Sequence, residues 1–147
     1  MQDFIDQTIK LQKYLLTKVY DDVGVIAVSH VKKAFQDEAY SDKSDKDMEW
    51  PEVKRRQGKG KGAAAIRKIL TGGTGDLGRS IKYKKEGRKL LIVSDKVYAK
   101  VHNEGLEAGR KSARFTMPKR QFIGKSKILK EKIQEMLDLK FEEFYKL

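Results

Sequence analysis

Apolar residues recur every three or four positions from Ile5 through Ile9 and Leu15 or Leu16 to Val19, with Gln12 in register, and predict an amphipathic helix over roughly residues 3–20. After Gly24 the period returns in Val28, Val31, Ala34 and Phe35. This predicts a second helix, or a kinked continuation of the first, ending near Glu38. Polar residues dominate from Tyr40 until Trp50 and Pro51, the pattern of a surface loop pinned by one large aromatic. Residues 54–62 (KRRQGKGKG) have no apolar side chain and predict a mobile basic loop. Residues 63–70 (AAAIRKIL) predict a short helix stopped by the glycines of TGGTG. Ile81 and Tyr83 then alternate with lysines, Glu86-Gly87 turns the chain, and Leu90 to Val93 returns as the second arm of a hairpin.

VYAKVHNEG (97–105) predicts a third strand, EAGRKSARF (107–115) a charged loop, and FTMPKRQFIG (115–124) a strand or extended arm with Pro118 at its edge or exit. Ser126 stands where it can cap a long last helix, in which Leu129, Ile133, Met136 or Leu137, Phe141 and Phe144 share a face. N-terminal helices, a small antiparallel sheet and a long C-terminal helix make the class α+β.

Composition bounds this picture. A chain of 147 residues can bury one core, so residues 1–147 read as one domain. With 33 Lys and Arg against 21 Asp and Glu, the net charge of +12 calls for an acidic partner: nucleic acid, an acidic protein face or an anionic membrane. Having no cysteine excludes disulfides, thiolate metal sites and thiol nucleophiles together. The opening residues place acids and lysines among the apolar positions, unlike a signal peptide, and no stretch is apolar enough to span a membrane.

Candidate chemistry is sparse. Gly73, Gly75 and Gly78 satisfy G-x-G-x-x-G, and Asp95 follows at the distance of a ribose-binding acid. A dinucleotide site must follow a strand and open a helix; the pattern here predicts a helix before it and a strand after it, hence a turn and no cofactor. GKGKG lacks the G-K-[ST] ending of a phosphate loop. His102, flanked by Asn103 and Glu104, has no histidine, cysteine or acidic pair at ligand spacing, so neither a metal site nor a catalytic centre is predicted. Its expected role is a strand-end side chain hydrogen-bonded to the next loop, with Gly105 permitting the turn. Phosphate-seeking side chains cluster at 54–61 and 110–120, near Phe115 and Phe122, but no nucleic-acid-binding motif is legible.

Four blocks, taken in order, resemble the Mu-like phage virion morphogenesis family, also described as tail completion proteins. They are Phe35 with Trp50; Leu70, Thr74, Gly75, Leu77, Ser80 and Ile81; Tyr98, Ala99, His102 and Gly105; and Pro118, Arg120, Phe122 and Gly124. Asn103 stands where glutamine is expected and Ile123 where leucine is commoner. The resemblance implies a non-enzymatic assembly protein of the virion, made in the bacterial host cytoplasm and acting in tail completion or head-to-tail joining. It implies a tail-terminator or connector-like subunit of a homo-oligomeric ring, commonly a hexamer, with other tail or connector proteins as partners, no cofactor and no membrane. On that expectation the contact surface draws on Lys54, Arg55, Arg56, Lys59 and Lys61, and on Arg110, Lys111 and Arg114. Non-specific contact with DNA is compatible with such a ring. The alternative is a basic nucleic-acid-binding module.

Overall fold

The computed structural model describes residues 1–42, 48–57 and 62–145. Two helices open the fold, α1 (Gln2–Thr17) and α2 (Val19–Asp37), and they part at Lys18, so Gly24 lies inside α2. Glu38, left-handed at φ 55°, ends α2 and donates its amide to the Ala34 carbonyl. The polar stretch from Tyr40 to Trp50 is bracketed by a short antiparallel pair, β1 (Ala39–Tyr40) and β2 (Met48–Glu49), with Tyr40 and Trp50 both buried. Its centre, 43–47, lies outside the described residues, as do 58–61 of the basic loop.

The expected mobile loop begins instead as a helical turn, α3 (Lys54–Gln57). The helix expected over 63–70 is one turn, α4 (Ala63–Ile66). The glycines beyond it turn the chain into a short helix, α5 (Asp76–Ser80), with Gly75 left-handed at φ 68°. The predicted hairpin is present as β3 (Lys82–Glu86) and β4 (Lys89–Val93), reversing through Gly87 and Arg88.

Two predictions fail just beyond it. Residues 99–104 are a helix, α6 (Ala99–Glu104), and not a third strand. Val97, Ala99 and Val101 fit a period of two, but over so few residues that spacing does not decide between helix and strand. Gly105 at φ 71° decides locally, closing α6 with its amide on the Val101 carbonyl at 2.9 Å. Residues 107–116 are a second hairpin, β5 (Glu107–Arg110) and β6 (Ala113–Thr116), and not a loop. Among the described residues, the single small sheet expected is therefore three separate two-stranded sheets. The capped helix stands: in α7 (Lys127–Phe144), Ser126 Oγ accepts the Leu129 amide at 3.1 Å.

The core gathers Val31, Ala34 and Phe35 of α2 with Trp50, Ile69, Leu77, Ile81 and Phe122. Phe35 is its hinge, edge-on to Trp50 at 5.5 Å and tilted against Phe122 at 5.0 Å. The helix α1 buries the face opposite its apolar stripe. Leu11 and Tyr14 pack inward, Tyr14 against Phe144 and bonded to Asp22 at 2.8 Å, while Ile5, Ile9 and Leu16 stay exposed.

Candidate functional site

The segment 118–126 is a strap laid across the residues after α2. Trp50 Nε1 donates to the Gln121 carbonyl at 2.7 Å, Tyr40 hydroxyl to that of Lys125 at 2.7 Å, and Ser126 hydroxyl to that of Ser41 at 3.1 Å. Arg120, only 5% exposed, turns Nε and Nη2 onto the Pro51 carbonyl at 3.0 and 2.9 Å. Asn103 fastens the strap from the other side. Its Oδ1 accepts the Phe122 and Ile123 amides, both at 2.9 Å, and its Nδ2 donates to the Ile123 carbonyl at 3.2 Å. The loop-fastening role expected of His102 belongs to its neighbour. The two side chains point apart because consecutive helix positions diverge by about 100°. The same closeness constrains Gly105, where an added Cβ would lie 2.9 Å from Lys119 Cβ.

His102 instead borders a cavity of about 400 Å³ that also touches Leu70, Thr74, Leu77, Tyr98 and Arg120. Six of the positions in the four blocks therefore share this cavity. Tyr98, 41% exposed at the start of α6, meets the His102 ring edge-on at 6.1 Å. His102 Nδ1 is buried without a hydrogen-bond partner. Burial first, and the Arg120 cation second, lower its pKa and keep the ring neutral. Asp76, the carboxylate bordering the cavity, is hydrogen-bonded to Arg79 at 3.1 Å, and among the described residues no acid is bonded to the imidazole. The other histidine, His30, sits in α2 against Tyr40, where burial and Lys132 lower its pKa. Among the described residues no three His, Cys, Asp or Glu side chains are placed to hold a metal ion.

The remaining expected positions hold backbone geometry or core. Ser80 donates to the Leu77 carbonyl at 2.7 Å and meets Ser94 at 2.6 Å. Ile81 is 1% exposed, Ala99 packs against the core, and Pro118 is exposed where the strap begins. The basic positions divide. Lys54 is exposed, whereas Arg55 donates to the carbonyls of Ala64, Arg67 and Lys68, each at 2.9 Å. Arg56 grips Glu38 with two bonds of 2.8 and 2.6 Å, and Glu38 also accepts the Ile69 amide at 2.7 Å. Lys59 and Lys61 lie outside the described residues. Arg110, Lys111 and Arg114 are exposed on the β5–β6 hairpin, Arg114 facing Glu107 at 3.3 Å.

Sequence reasoning missed three features: Asn103, Glu38, and the five cations Lys82, Lys84, Lys85, Arg88 and Lys89 of the first hairpin. The cations are legible as KYKKEGRK; Glu38 and Asn103 act on residues 18 to 31 positions away, which spacing cannot show.

Positions that hold the backbone together, under a basic surface, make this a small α+β protein. The chain belongs to the phage virion morphogenesis family, whose model matches residues 5–142. No curated protein and no solved structure matches it. Membership gives it a role in phage virion assembly, in a family of structural proteins. No helix among the described residues is long and apolar enough to cross a membrane.

Proposed function

We propose that this chain completes the phage tail or joins it to the head as one subunit of a homo-oligomeric ring, contacting other tail or connector proteins in the virion. The observation that carries this reading is the β5–β6 hairpin, in which every strand residue except Ala108 is exposed and which bears Arg110, Lys111 and Arg114. A two-stranded hairpin is marginal alone, so one standing in solvent is well suited to be completed by a neighbouring subunit. A ring presenting such cations to its axis would tolerate DNA without reading its sequence.

Light scattering of the purified protein at low and high salt, with and without a short duplex, tests this. A discrete multimer that persists at high salt is expected. A monomer that binds duplex tightly at moderate salt, and releases it steeply as salt rises, would replace the ring with a nucleic-acid-binding module.

A further inference from the structure

Helix α1 is apolar on two opposite faces. Leu11 and Tyr14 are covered by the body of the protein, but Ile5, Ile9 and Leu16, a single stripe at helical spacing, are 45%, 57% and 65% exposed. A helix apolar on both sides is a helix with two partners, and here one partner is missing.

A complementary surface lies elsewhere on the same chain. Between α2 and β3 runs a groove of about 700 Å³ with Val25, Val28 and Ile81 as its apolar wall. Val25 is 60% exposed. Lys32 and Lys82 stand on its rim and form no ion pair among the described residues, while Lys33 is held by Asp37 at 2.6 Å. The β3–β4 hairpin continues that rim with four further cations against Glu86. The end of the molecule where α1 begins and α7 finishes is its opposite in charge. Residues 1–9 contain Asp3 and Asp6 and no Lys or Arg side chain, ahead of Lys10 and Lys13 further along α1, and residues 135–144 of α7, which pack on α1 through Phe144 against Tyr14, contain four acids against Lys140. In a chain of net charge +12 this is an acidic pole.

We infer that the exposed stripe of α1 in one copy of this chain docks in the α2–β3 groove of the next. Apolar anchors four and seven residues apart enter an apolar groove, and the acidic pole meets the lysine rim. The two surfaces are different parts of one chain, so the contact is head-to-tail and propagates from copy to copy. It rests on the ring-subunit reading and supplies that ring with a specific joint.

Because the chain has no cysteine, single introduced thiols report the contact cleanly. Ile9→Cys and Val25→Cys variants are mixed in equal amounts and treated with a flexible bis-maleimide, and the mass of the unmodified chain is measured in parallel. A covalent heterodimer in the mixture, and no dimer from either variant alone, is the expected result. Ile9→Glu should weaken self-association about tenfold or more. An oligomeric unmodified chain without heterodimer would overturn this contact and leave the ring standing. Dimers from Ile9→Cys alone would also overturn it, since they require a symmetric pairing of α1 with itself. A trapped heterodimer from a chain that is otherwise monomeric would uphold the contact and overturn the stable ring.

Discussion

Glu38 sits at the end of α2 with both carboxylate oxygens engaged by Arg56 and one also accepting the Ile69 amide. The Arg56 hydrogen bonds are the main reason its pKa falls to about 2 from an ordinary 4.5. A carboxylate held low contributes stability that is complete above the unfolded value and disappears as pH falls through the folded one. Chemical denaturation should therefore show the protein losing about 2 kcal/mol between pH 4.5 and 2 from this group, the partial solvent contact reducing the full linkage value. Glu38→Gln should remove that dependence and about the same stability at neutral pH. His30 and His102 act earlier on the same axis: each is held neutral below an ordinary 6.5, so stability begins to fall as pH drops beneath it. Asn103 and His102 separate by consequence. Asn103→Ala leaves two amides of the strap without their acceptor and should cost about 2–3 kcal/mol. His102→Asn removes a ring whose Nδ1 bonds nothing and should cost less, measured by the same denaturation.

At the scale of elements, Gly24 shows a local rule reversed by packing. Glycine inside a helix is ordinarily improved by alanine, by about 1 kcal/mol. Here the Tyr83 ring of β3 lies on the α2 backbone, and an added Cβ would come within 2.5 Å of Tyr83 Cγ. Gly24→Ala should cost about 2 kcal/mol in thermal or chemical unfolding, yet become neutral or favourable in a Tyr83→Ala background. Long or strongly punctuated elements were legible in the sequence: α2, the β3–β4 hairpin around Gly87, and α7 behind Ser126. The site was less so. Tyr98 to Gly105 was recognisable as a block but assigned to a strand, because what makes it a helix is Gly105 together with Asn103 reaching Phe122 and Ile123. The apolar stripe of α1 is legible but its exposure is not, since periodicity finds a stripe without telling which neighbour covers it. The β5–β6 hairpin offered no apolar alternation to find, its side chains having no core to enter.

On the scale of the whole molecule, the strap joins positions far apart in the chain: 71 residues separate Trp50 from Gln121, 69 separate Pro51 from Arg120, and 85 separate Tyr40 from Lys125. Arg120→Met keeps the volume and removes both bonds to Pro51, and should cost about 1–3 kcal/mol while shifting far-UV helix content little. These separations also order events in time. Helices form from near neighbours, whereas the ends of a 70-residue loop must find one another against the entropy of closure. Trp50, the chain's only tryptophan, becomes buried under the strap as that loop closes, so it acts as a clock on assembly of the subunit itself. In stopped-flow refolding its fluorescence should settle after the helical ellipticity, and a subunit caught in between would have its helices but not yet the surface it offers to a neighbour.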